Sequence, residues 1–462
     1  MEWLMMLIWG VNMVFIVLVL FVEQKRPEVA LCWLMALVFL PVVGCILYLF
    51  FGISLPHYQR RSLRRWQVGV EREATQAVLM DRSASVMVRM NEQLGEGVIR
   101  ANNHVQILAS GEEKYSSLLA DIRTATSTIH LLYFIIRGDR LGHHLVQALT
   151  EKAKQGVRVR LLYDHGGSFF TSKEMFRPLV EAGGEVARFF PIRLGYYLRV
   201  NYRNHRKIVV IDGKIGYLGG MNIGEEYLGE RIASQIPWRD LHLRIEGECV
   251  QDLQRRFVQD WQFAGRAIEK EIFLSGVAVR GGVAMQIVSS GPYRTEPAIK
   301  WNYLRMIYGA TQSVWLQTPY FVPDEAFLES LRIAVKSKVE VRLILPSHSD
   351  NRPAQKVSVS YARELWRMGV KVGFYPGFVH AKLGIIDGRM VILGTANLDR
   401  RSFSLNFETN AILYDEKIAR RCQDLYQADW EVSHRMVSEA EWEMGLLQKA
   451  EESLWRLMTP LL

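Results

Sequence analysis

Two pairs of histidine and lysine, each two residues apart, stand at the head of the same pattern in this chain. "HRKIVVIDG" begins at His205 and "HAKLGIIDG" at His380. The first copy supplies His205, Lys207, Asp212 and Asn222; the second supplies His380, Lys382, Asp387, Thr395 and Asn397. Imidazole can attack phosphorus or move a proton near neutral pH. Lysine adds a positive charge, asparagine a neutral donor and threonine a hydroxyl. Without a carboxylate cage, such a set makes a poor metal site and a good cradle for a phosphate. One cluster is half a site. Two supply a nucleophile and an acid across a single phosphodiester, whereas a polar-faced hairpin would explain only one copy.

The elements that must position these groups can be read from the same stretch. Apolar residues run from the lysine to Asp-Gly and on again, as in "KIVVIDGKIGYLGG", which predicts a hairpin with a type I′ turn. Residues two apart on a strand share a face, so His205 and Lys207 are expected side by side, and so are His380 and Lys382. The return strand carries Asn222 and Asn397 back toward them. Asp212 and Asp387 belong to the repeated catalytic set by position, but an Asx-type bond holding the turn is their simpler role. A general-acid histidine needs a carboxylate to orient it. Asp240 in "PWRDLHLRIEG" and Glu408 lie at matching distances before Trp261 and Trp430, which makes them the orienting pair.

The duplication extends beyond the motif. "ATSTIHLLYFII" from Ala125 resembles "ATQSVWLQTPYFV" from Ala310, "GGEVARFFP" resembles "MGVKVGFYP", and both copies close on Asp-Trp, at Asp260-Trp261 and Asp429-Trp430. Alternating β-rich and helical segments predict α/β architecture in each half. Residues 106–275 and 276–462 form the two halves, with a seam near Leu274–Gly282 and a shared site on a pseudo-two-fold axis. The stretch Ala187–Val200 interleaves Arg188, Arg193 and Arg199 with aromatics. It reads equally as a cleft lip at a bilayer interface or as a partly buried strand and loop.

Apolar residues make up 49% of the chain and charged residues 23%, which excludes a disordered protein. The net charge of +9 favours polyanions, either nucleic acid or anionic lipid. Two apolar runs near the N-terminus, Trp3–Val22 and Val29–Gly52, favour lipid. Each is long enough to cross a hydrocarbon core of about 30 Å. Residues 1–56 therefore read as a two-helix anchor and 57–105 as a basic juxtamembrane linker. Arg60, Arg61, Arg64 and Arg65 outnumber Lys25 and Arg26, which places the catalytic part in the cytoplasm. The four cysteines have no disulfide or metal spacing.

The paired motif "HxKx4Dx6G[GT]xN" resembles the phospholipase D superfamily. The apolar N-terminus, "NIGEEYLG", "WRDLHLRIEG", "TPYFVPDE" and the terminal "PLL" are similar to bacterial cardiolipin synthases of the inner membrane. That resemblance covers the whole chain. It implies two phospholipase D-like halves around one cleft and phosphatidyl transfer without metal or other cofactor. The implied substrate is phosphatidylglycerol in an anionic membrane, not nucleic acid. One histidine would form a phosphatidyl-histidine, provisionally His205, and the other would handle the proton. Lys207, Lys382, Asn222, Thr395 and Asn397 would stabilise the phosphorane, with Glu408 acting on His205 and Asp240 on His380. Gly220 departs from the commonest pattern, in which a serine stands there. A hydrolytic phospholipase D would use the same residues, and an inactive lipid-binding adaptor would need none of them.

Overall fold

The structure, a computed structural model, describes residues 2–23, 27–52, 82–191, 201–228, 238–268 and 282–457. The basic cluster Arg60–Arg65, the loop cations Lys25 and Arg26, Arg193, Arg199, most of the seam and the terminal "PLL" lie outside the described residues.

The first half is one seven-stranded sheet: β1 (Asn103–Leu108), β2 (Thr128–Tyr133), β3 (Arg158–Asp164), β4 (Glu185–Phe189), β5 (Ile208–Ile211), β6 (Ile215–Gly219) and β7 (His242–Gly247). Its order is β1-β7-β6-β5-β2-β3-β4. The β2, β3 and β4 strands run parallel, and the other pairings are antiparallel. The second half contains β8 (Ala284–Ser290), β9 (Ser313–Gln317), β10 (Phe321–Val322), β11 (Glu340–Pro346), β12 (Lys371–Tyr375), β13 (Leu383–Ile386), β14 (Met390–Gly394), β15 (Leu398–Asp399), β16 (Glu408–Tyr414) and β17 (His434–Arg435). Its main sheet runs β17-β12-β11-β9-β13-β14-β16-β8, the same sequence of strands with β17 added at one edge. The duplication read in the sequence is a duplication of topology.

Strand periodicity divides the core. Along β5, Val209 and Ile211 face outward to the helices Gly111–Thr124 and Arg140–Lys154, while Ile208 and Val210 face inward. The inward faces of both sheets meet in one core. Leu132 and Leu243 come from the first sheet, and Ile287 and Leu383 from the second. The helices Val250–Phe263 and Glu416–Val432, which carry the two Asp-Trp endings, are part of that core through Trp261 and Trp430.

Two expectations change. The stretch before the first half is not simply a linker, because the helix Arg82–Gln93 packs Met87 and Val88 into the outer core of the second half. Asn91 there bonds Gln286 and Asn302 in the second half. The second apolar run is also not one helix: it breaks at Leu40 between Pro27–Phe39 and Pro41–Leu47. Proline has no N–H for the carbonyl one turn back. Asn12, the polar residue of the first run, instead donates to Leu37 O at 3.3 Å and to Pro41 O at 2.9 Å. Met5–Val22, with mean hydropathy 2.7, is the one helix among the described residues long and apolar enough to cross a membrane.

Candidate active site

Each His-x-Lys lies just before a strand rather than on it, because β5 begins at Ile208 and β13 at Leu383. The histidines are placed by the opposite half. His205 N donates to Phe407 O (3.0 Å) and Phe407 N to Arg203 O (2.8 Å). His380 N donates to Arg239 O (2.6 Å) and Arg239 N to Phe378 O (3.0 Å). These bridges put each histidine beside the acid that follows the bridging residue. His205 Nδ1 lies 3.0 and 3.1 Å from the two Glu408 oxygens, and His380 Nδ1 lies 2.7 Å from Asp240 Oδ2. Both rings are nearly buried, 8% and 6% exposed. The pairing is crossed: each half orients the other's histidine.

Sequence reasoning missed the residues that hold these bridges. Arg206 is fully buried, with Nη1 2.6 Å from both Asp260 oxygens and Nε donating to Glu408 O. Asn204 Nδ2 also donates to Asp260, at 3.0 Å. At the second bridge Arg239, next to Asp240 in the first half, donates from Nε to Asp429 of the second half at 2.9 and 3.1 Å. The repeated Asp-Trp endings were the available signal: the tryptophans fill the core, and the aspartates grip an arginine adjoining a histidine or its acid.

The two carboxylates differ in surroundings. Burial would raise Glu408, but the His205 ring, Lys207 and Thr395 outweigh it and hold the carboxyl below its usual range. Burial pushes Asp240 up to about 7, against the pull of Lys382, the Leu241 N–H and Lys207. Burial lowers both histidines; Glu408 opposes this at His205, whereas Lys382 and Lys207 lower His380 further. Burial also lowers Lys207, and brings Lys382 to about 8.

The difference begins at matched positions. The Thr395 hydroxyl is already engaged: it donates to Glu408 Oε2 at 2.5 Å and accepts from Thr409 N at 2.9 Å. Its role is to steady the acid, which corrects the expectation that it donates to substrate. At Gly220 a Cβ would lie 2.2 Å from Asp240 Oδ1, so the absent serine is space taken by the shorter acid.

Lys207 Nζ donates to His205 O (2.7 Å), and Lys382 Nζ bonds His380 O in the same way. Asn222 is engaged at both ends: Oδ1 accepts from Ile135 N and Nδ2 donates to Tyr227, each at 3.1 Å. Asn397 Oδ1 is buried with no hydrogen-bond partner among the described residues. Asp212 and Asp387 are at the far end of their strands from the histidines, about 13 Å away. Both have positive φ, 52° and 51°, as the type I′ turn requires. Asp212 accepts from the amides of Thr126, Ser127 and Thr128, and Asp387 from those of Thr311, Gln312 and Ser313, at 2.7–2.8 Å. Instead of reacting, each clamps the loop that enters β2 or β9.

Two crossed histidine–carboxylate pairs, each with a lysine, between duplicated α/β halves define a phospholipase D-like site. The sequence matches the family described as "Cardiolipin synthase, PLD-like domain" over residues 118–261 and 303–430, and "Phospholipase_D-nuclease N-terminal" over 10–52. The chain belongs to the phospholipase D-like cardiolipin synthase family. It is 39% identical to the major cardiolipin synthase ClsA of Bacillus subtilis over 99% of both chains. It is 36% identical to a cardiolipin synthase of Listeria innocua, over 100% of this chain and 99% of that one. The fold is shared with phosphatidylserine synthase of Haemophilus influenzae, with TM-score 0.63, 14% identity and coverage of 81% of this chain and 97% of that one.

Proposed function

We propose that the chain joins two phosphatidylglycerol molecules into cardiolipin and glycerol through a phosphatidyl-histidine. The observation that carries this reading is the pair of crossed histidine–carboxylate contacts, an arrangement that suits two imidazoles acting on one phosphodiester. In the first step His205 Nε2 bonds to phosphorus, the bond to the glycerol oxygen breaks, and His380 Nε2 gives that oxygen a proton. In the second, His380 takes the proton from a hydroxyl of another phosphatidylglycerol. That oxygen bonds to phosphorus, and the P–N bond breaks.

Glu408, held low, remains an anion beside the ring that becomes positive, which supports His205 as the nucleophile. Asp240, raised to about 7, shares a proton with His380 near neutral pH, which suits acid–base work. Lys207 and Lys382 would balance the charge on phosphorane oxygens, and Asn397 Nδ2 would donate a neutral hydrogen bond to one of them. The apolar N-terminal hairpin would anchor the protein as two spans, with the catalytic part on the cytoplasmic side.

The full-length protein in vesicles of labelled phosphatidylglycerol is expected to yield cardiolipin and free glycerol. With a donor carrying a nitrophenol leaving group, His380→Ala should accumulate label on His205, and His205→Ala should accumulate none. Phosphatidic acid as main product would mean a hydrolase, and label on His380 would reverse the assignment.

A further inference from the structure

The two ends of the cleft differ. Among the described residues, the His205 ring has one aromatic neighbour, Phe134, at 4.8 Å between centroids. The His380 ring has three: Phe378 at 5.5 Å, Trp238 at 5.7 Å and Tyr227 at 5.9 Å. Trp238 packs edge-on against both Phe378 (4.5 Å) and Tyr227 (5.2 Å), so the three rings form a continuous wall. Tyr320 extends it, 6.4 Å from Phe378, and its hydroxyl donates to the exposed carboxylate of Asp350 in the loop after β11. The corresponding loop after β3, near His205, has a different character. It carries His165, with Arg188 beside it, and the exposed rings of Phe169 and Phe170.

We infer that the wall of Tyr227, Trp238 and Phe378, closed by Tyr320 and Asp350, is the subsite for the alcohol part of the substrate, and that it selects a neutral polyol. The inference rests on the phosphatidyl-transfer reading above and assigns the leaving glycerol, then the glycerol headgroup of the acceptor, to the His380 end. Ring faces accept the C–H edges of a polyol. A carboxylate and a phenol oxygen bond its hydroxyls, with charge-assisted strength at the carboxylate. The same carboxylate repels a phosphate, so the diester stays with the lysines while the uncharged alcohol lies along the rings. The positive charges of Lys207 and Lys382 also act on His380 and disfavour an ammonium group beside it. This placement puts the leaving oxygen beside the histidine assigned to protonate it.

The test uses full-length protein in mixed micelles with a phosphatidyl donor and three competing alcohols: glycerol, ethanol and ethanolamine. Each phosphatidyl product is quantified for the wild type, Asp350→Asn and Tyr320→Phe. The wild type is expected to prefer glycerol over ethanol by KM, and each variant to lower that preference about tenfold, the worth of one hydrogen bond to a charged group. Equal losses for glycerol and ethanol would mean a structural role and overturn the subsite. So would an unchanged preference, or an Asp350-dependent preference for ethanolamine. A wild type that makes no cardiolipin from phosphatidylglycerol, whatever its alcohol preference, would overturn the synthase reading itself.

Discussion

At the scale of single residues, the site is built from small differences between matched positions. Gly220 and Asp240 in one half correspond to Thr395 and Glu408 in the other. The longer acid comes with a hydroxyl to steady it, and the shorter one occupies the space that a side chain at 220 would need. Gly220→Ser would place its Cβ 2.2 Å from Asp240 Oδ1 and push that carboxylate off His380. A displacement of about 1 Å in a catalytic group costs about 100-fold, so cardiolipin formation should fall by that order while the fold melts normally. Undiminished turnover would refute the packing account. The same scale sets the pH profile. As the proposed nucleophile, His205 must be unprotonated, and burial keeps it so to below its ordinary range, which puts the acid limb below about 6.5. Lys382 loses its charge near pH 8. Activity per enzyme should therefore fall in two steps, first near pH 7 as the proton shared by Asp240 and His380 is lost and then as pH rises through 8, as read from kcat/KM between pH 5 and 10. Lys382→Arg, which stays charged, should remove the step near 8 and keep the one near 7, at a lower plateau.

Elements carry the site through anchors that the motif does not contain. The helix Val250–Phe263 holds Asp260 against Arg206, and the helix Glu416–Val432 holds Asp429 against Arg239. Removing one member of a buried ion pair costs about 3–5 kcal/mol, whereas replacing both by apolar groups can be neutral. Asp260→Ala should lower stability by that amount in denaturant titration. The pair Arg206→Met with Asp260→Leu should regain most of it while activity stays low, because His205 has lost its tether. Regained activity would show that the pair serves stability alone. The hairpins were legible in advance because Asp-Gly turns and strand alternation are local signals, and the φ values of Asp212 and Asp387 agree with them. The partners of those aspartates were not legible. They lie in a loop that reaches the turn only when β2 pairs with β5, or β9 with β13. The Pro41 break was visible as a residue, but Asn12 as its remedy needed the two runs to be packed together.

At the scale of the molecule, duplication made Asp240 and Glu408 findable, because nearly equal spacing from the closing tryptophans, 21 and 22 residues, marks matching places at the heads of strands β7 and β16. It could not reveal that the helix Arg82–Gln93 would cross over to the second half. Its apolar face matches either core by composition, and only tertiary packing decides. That crossing, the single inner core and the reciprocal backbone bridges tie the described residues between 82 and 457 together. The part beyond the membrane anchor should therefore unfold in one cooperative transition, with loss of activity superimposed on loss of structure in the same denaturant series. Two separated transitions would mean that the halves are independent domains.

The reciprocal bridges have one more consequence. A chain that contains the same unit twice could hold one copy in reserve, tolerating damage to either. Here neither copy owns a complete reactive centre, since each histidine takes its backbone support and its acid from the other. On the proposed mechanism, repetition has doubled the number of places where one error would stop the reaction, and it has left no spare.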